Sequence, residues 1–230
     1  MLKFKVVART APLLLLLVLG GVNLAKAQGF SPYLGFGTAF DSSNGQDLEC
    51  SPSNPNADNP SICPVVLTNP DVGPKMTGLF GVFGADYMWK PTLGFGGEYS
   101  WRTHPGPFAP QEAITFRPAF YDFNAIWHPI GKGSRVVPEI QGGIGGAHTK
   151  FYETGTGCVA GNIGCTTVNE YIDSSNHFAV HFSGGIRFYF KGGFYLRPQF
   201  DGRYVPHFVE FGSDFVPEVT VALGYTFGSH

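Results

Sequence analysis

The chain has 230 residues, of which 14% are charged and 15% aromatic, and its formal net charge is −2. That composition is too apolar for a disordered chain, and past residue 27 no apolar run is long enough for a membrane-spanning helix. The whole chain carries 32 glycines and 22 phenylalanines, and one domain of about 200 residues is the expectation for this length.

The N-terminus carries Lys3, Lys5 and Arg9, then an apolar stretch over 11–22, then Ala25-Lys26-Ala27. This is the basic, apolar, small-x-small order of a secretory signal peptide. Residues 1–27 are expected to be removed after Ala27, leaving 28–230 as the mature domain. The apolar run falls short of the ~20 residues of a spanning helix. Cleavage takes four of the 15 basic residues and none of the 17 acidic ones, leaving 11 against 17. The mature charge of −6 argues against nucleic acid as a partner.

From there the chain alternates. Side chains on a strand switch faces at every residue, and about eight stretches place apolar residues on one face only. In chain order the first sets Leu34, Phe36 and Phe40 against Tyr33, Gly35, Gly37 and Ala39. The second sets Leu79, Phe83, Ala85, Tyr87 and Trp89 against Phe80, Val82 and Asp86, and the third sets Leu93, Phe95, Tyr99 and Trp101 against Glu98, Ser100 and Arg102. The fourth opposes Tyr121, Phe123 and Trp127 to Phe120, Asp122, Asn124 and His128, and the fifth opposes Pro138, Ile140 and Ile144 to Glu139 and Gln141. The sixth has Phe178, Val180, Phe182 and Ile186 opposite His181, Ser183 and Arg187. The seventh, FYLRPQFDGRY, has Phe194, Leu196, Phe200 and Tyr204 opposite Arg197, Asp201 and Arg203. The last has Val219, Val221, Leu223, Tyr225 and Phe227 opposite Glu218, Thr220 and Thr226.

The connections alternate as well. Those at 90–92, 129–134 and 191–193 are short, whereas 41–75, 103–112, 147–176 and 205–214 are long and polar. An eight-stranded antiparallel up-and-down transmembrane β-barrel sorts its loops in this way, with short periplasmic turns and long extracellular loops. The apolar face then meets lipid. An eight-stranded barrel has an interior just wide enough for side chains. The expected polar network of the lumen is Asp86, Glu98, Arg102, Arg117, Asp122, Glu139, Arg187, Arg197, Asp201, Arg203 and Glu218, with inward glycines making room. Pro118, Pro138, Pro198 and Pro217 each delete a ladder donor from a strand.

The four cysteines fall as Cys50 and Cys63, then Cys158 and Cys165, each pair within a polar loop. An exported chain favours disulfides, and local pairing closes the smallest loops. The spacings do not match the short knuckles of a zinc site. The histidines lack paired metal spacing, so neither a metal nor another cofactor is expected.

The stretches GADYMWKPTLGFGGEYSW (84–101), VVPEIQGGIGGAH (136–148) and VTVALGYTF (219–227) resemble the small outer-membrane β-barrel superfamily, the OmpA-like eight-stranded barrels. The likeness spans essentially the whole mature chain and rests on patterns. It implies an outer-membrane protein with a structural or interaction role, surface-exposed loops and a filled lumen. Its partners would be outer-membrane lipid and, through the C-terminal strand, the barrel-assembly machinery; what the loops bind is not readable. Such proteins usually end on an aromatic residue, whereas here Phe227 is followed by Gly228-Ser229-His230. The alternative function is a narrow pore for small solutes. A more distant one is a lipid A-modifying hydrolase, because His181-Phe182-Ser183 resembles the His-x-Ser motif of lipid A deacylases. Gly184 stands where those enzymes have Asn, and the alternation turns His181 and Ser183 inward. No catalytic residue is therefore assigned and the chain is not expected to be an enzyme.

Overall fold

The computed structural model describes residues 29–40, 74–109, 114–130, 134–158, 165–208, 211 and 213–228. The signal peptide expected at 1–27, with its Ala25 and Ala27, and the cysteines Cys50 and Cys63 lie outside the described residues. The strands are β1 (Gly29–Ala39), β2 (Phe80–Met88), β3 (Leu93–Arg102), β4 (Gly106–Ala109), β5 (Ile114–Trp127), β6 (Val136–Cys158), β7 (Cys165–Lys191), β8 (Phe194–Tyr204) and β9 (Phe215–Tyr225). All pairings are antiparallel. Eight strands follow one another in the order β3-β2-β1-β9-β8-β7-β6-β5, and pairing of β3 with β5 closes the ring. Closure removes the free edges that an open sheet would expose. The short β4 adds to β5 beyond the end of β3.

The ring separates the two faces of every strand. Leu34, Phe36, Phe83, Phe95, Phe123, Ile144, Phe178, Phe200, Val221 and Leu223 are all exposed on the outside. So continuous an apolar belt around a barrel is unsuited to water, and it matches the outward apolar band of a barrel in lipid. Small residues on the inward face make space for charged neighbours. A Cβ at Gly96 would collide with Asp86 Oδ1 from the adjacent strand.

Two long connections differ from expectation. Residues 147–176 were expected to form a loop, yet β6 and β7 pair without a break in chain order from Val136↔Phe188 to Cys158↔Cys165, with one bulge at Phe151/Tyr152. β8 leaves β7 at Val180↔Tyr204 and β5 leaves β6 at Ile114↔Glu153. The two strands therefore rise as a hairpin above the ring. Thr149, Tyr152, Thr154, Val168 and Tyr171 explain it, since β-branched and aromatic residues favour strands even in polar surroundings. The second difference is β4, a strand inside the loop expected at 103–112.

Each of these prolines stays paired on one side but falls where the ladder on its other side is absent. Pro138 lies past the last β5 partner of β6, which is Ile140. Pro198 sits where the β7–β8 register skips from Gly185↔Gln199 to Phe188↔Leu196. Pro217 lies beyond Glu218, the last β9 residue paired with β1. Pro118 lies just past Ala119, the last β5 residue paired with β3. A missing N–H costs little at an end or interruption of a ladder.

Candidate functional site: the filled lumen

Nine of the residues expected in the lumen lie buried inside the ring: Asp86, Glu98, Asp122, Glu139, Arg187, Arg197, Asp201, Arg203 and Glu218. The inward parity of their strands brings them together, and the narrow bore lets them meet from opposite walls. Arg187 on β7 reaches Asp86 on β2 at 2.6 Å and also pairs with Glu139 on β6. Arg197 on β8 crosses to Glu98 on β3 at 3.0 Å and lies 3.4 Å from both Asp86 and Glu139. In the ring, β7 and β2 are four strands apart, as are β8 and β3, so these two ion pairs span the diameter. Arg203 pairs with Asp122 at 2.8 Å, Glu98 at 3.3 Å and Glu218.

Arginine suits this task because its planar fork donates to several carboxylates while its flat face stacks on aromatic rings. Each buried arginine does both. Arg197 lies 3.6 Å from the Tyr33 ring centroid, Arg203 4.8 Å from that of Phe120, and Arg187 5.0 Å from that of Tyr195. Tyr33 donates its hydroxyl to Glu98 at 3.0 Å, Ser100 donates to Glu218 at 2.7 Å, and His128 Nε2 pairs with Glu139 at 2.8 Å. The tyrosines stack where charge alone gives no hint, although their inward parity on β1 and β8 was readable.

Two expected members are elsewhere. Arg117 shares the parity of Tyr121 and Phe123 on β5, which puts it on the outside of the barrel. Arg102 faces inward but stands half-buried at the mouth, 5.0 Å from the Phe116 ring centroid and 3.4 Å from Lys75 O. Neither pairs with a carboxylate among the described residues. The interior is also more acidic than its arginines suggest, with six buried carboxylates facing three buried arginines.

Above the charged tier, toward the long loops, the interior turns apolar. Met76, Phe80, Phe116, Phe120, Val205, Phe208, Phe211 and Val216 form one buried cluster, with Phe108 of β4 packed against it. The Phe208 and Phe211 rings lie 4.5 Å apart, and Phe211 is 5.0 Å from Phe116. The connection after β8 thus folds back into the mouth as a lid. Phe80 and Phe120 were legible from alternation, but Phe208 and Phe211 sit in a connection without periodicity.

His181 and Ser183 are buried in the lumen. His181 Nδ1 meets Asn124 Oδ1 at 2.8 Å and its Nε2 meets Asp201 Oδ1 at 3.1 Å, while Ser183 Oγ has no partner among the described residues. Both ring nitrogens are engaged away from the serine, so the two do not form a nucleophile–base pair.

No family model and no curated protein matches the chain. Among solved structures it is similar to a major outer membrane protein from Thermus thermophilus, with 11% identity and a TM-score of 0.51, over 87% of this chain and all of that one. It is similar to the outer membrane protein OprG from Pseudomonas aeruginosa at 11% identity and a TM-score of 0.50, over 89% of this chain and 98% of the other. The outer membrane enzyme PagL also aligns, at 13% identity and a TM-score of 0.41 over 84% of this chain and 98% of that one, a likeness too loose to bear on chemistry. The fold is therefore that of the small eight-stranded, OmpA-like outer-membrane β-barrels.

Proposed function

We propose that the protein is an exported outer-membrane barrel that does not conduct, an anchor that holds its long connections and the β6–β7 hairpin at the cell surface. The observation that carries this reading is the pair of ion pairs across the diameter, Arg187 with Asp86 and Arg197 with Glu98, all four side chains being buried. An eight-stranded bore is just wide enough for side chains, so ion pairs that cross it support a filled lumen, and the phenylalanine cluster covers them on the loop side. The hairpin is the natural surface for a partner, since it stands clear of the ring. Its backbone register sets Cys158 directly opposite Cys165. The reading includes removal of residues 1–27, two local disulfides and insertion by the barrel-assembly machinery through the C-terminal strand.

Solute flux into vesicles tests the closed lumen. Mature protein refolded into liposomes is expected to admit small sugars and potassium no faster than protein-free liposomes. Rapid swelling that scales with protein content would favour the narrow pore and overturn the closed-barrel reading.

A further inference from the structure

Two cations on the outer wall have no part in the lumen. Arg117 on β5 and Lys150 on β6 are direct cross-strand partners, and both belong to the outward parity of their strands. Like charges directly opposite each other destabilise a sheet. Among the described residues no carboxylate forms an ion pair with either. The pair lines an open groove of about 570 Å³, together with His148, Trp101, Tyr99 and Tyr152.

Depth says what fills the groove. Ten residues separate Arg117 from Trp127 at the short-turn end of β5, or about 34 Å along a strand. At the usual barrel tilt that is a rise of about 25 Å, the height of the apolar band. Arg117 and Lys150 therefore stand where the hydrocarbon ends and the headgroups begin, on the long-loop side, within an aromatic belt. The site is also built. The Trp101 ring lies over Gly81, where a Cβ would meet Cζ2 at 2.6 Å. Arg117 Nε donates at 2.9 Å to Arg102 O. Continued one residue past Trp101↔Ala119, the last β3–β5 pair, the register sets Arg102 against Pro118, which has no N–H to offer that carbonyl. The guanidinium is thus held through Nε, while its two terminal nitrogens make no hydrogen bond among the described residues and can serve a bidentate anion.

We infer that this groove is a lipid-phosphate site: Arg117 and Lys150 bind the phosphate of an outer-leaflet lipid headgroup while Trp101 and Tyr99 pack on the lipid below it. The inference is independent of whether the lumen conducts.

The test uses full mature protein with Trp89→Phe and Trp127→Phe, so that Trp101 alone reports. It is refolded into phosphatidylcholine vesicles containing brominated phosphatidic acid or brominated phosphatidylcholine, and Trp101 quenching gives their relative affinity for the groove. Phosphatidic acid is expected to be favoured about thirtyfold, the scale of two basic residues at a membrane surface. Lys150→Gln, an exposed substitution, should lower that preference severalfold, and Arg117→Gln with Lys150→Gln should bring it close to one. Heat-modifiable gel mobility verifies folding, and if the double variant does not fold, Lys150→Gln alone decides. Equal quenching by the two lipids, or a preference unchanged in Lys150→Gln, overturns the inference. Loss of the preference on adding 10 mM inorganic phosphate would show a site for free phosphate and overturn the lipid assignment.

Discussion

Arg197 is held by Glu98, Asp86 and Glu139 and stacked on Tyr33. Replacing it with Gln leaves three buried carboxylates short of their shared cation. Breaking such a buried network by removing one partner costs about 3–5 kcal/mol. Urea unfolding in lipid vesicles should show that loss, and a change below about 1 kcal/mol would contradict it. Asp201→Asn should be far milder. Asp201 meets His181 at 3.1 Å, Gln199 at 2.5 Å and Thr220 at 3.5 Å, and among the described residues it forms no ion pair with an arginine. The interior already carries an excess of carboxylates, so the variant should insert normally and unfold within about 1 kcal/mol of wild type. Phe200, 48% exposed, lies on the opposite face near mid-height, and Phe200→Arg should cost about 2–4 kcal/mol there. Normal stability of Phe200→Arg together with failed insertion of Asp201→Asn would mean the faces are reversed. At this scale the alternation was sufficient for most of the lumen. It also places Arg117 outside, with Tyr121 and Phe123; a charge suggests the interior only when its parity agrees. The aromatic stacking of the arginines depends on distances between strands far apart in the sequence, which no local pattern carries.

The strands that form the ring are readable because one face must be apolar and the other must fit a narrow bore. β6 and β7 are the exception, since above the ring neither face is in lipid and the apolar alternation fades. Polar β-formers such as Thr149 and Thr154 then sustain the strand without the period that reveals it. The hairpin leads to a prediction about its own end. Directly opposed residues of an antiparallel pair have Cα atoms about 4.5–5.5 Å apart, within the span a disulfide bridges. Cys158 and Cys165 are therefore expected to be joined, and peptide mapping without reductant should recover a single cross-linked fragment from this hairpin. A bond from either residue to Cys50 or Cys63 would refute local pairing. The lid is the other element hidden from the sequence. Phe208 and Phe211 are apolar residues in a connection, and only packing against Phe116 shows that they point into the barrel.

For the whole molecule, the fold answers two solvents at once. Lipid selects the outer face, and a bore too narrow for bulk water selects carboxylates and arginines that can satisfy one another. Loop parity and the eight alternating stretches made the barrel legible. Whether it conducts was not, because that depends on which side chains meet across the axis, and the crossings of Arg187 and Arg197 appear only once the ring is closed. Current through a planar bilayer tests the closed barrel most directly. Wild-type protein inserted from detergent should give no regular steps above the leak of the bare membrane, at either polarity and in molar salt. Arg197→Gln, with one of the two crossings removed, should give small or flickering events at most while the Arg187 crossing and the phenylalanine lid remain. Steady, unitary openings from wild-type protein, reproducible from one insertion to the next, would contradict the account.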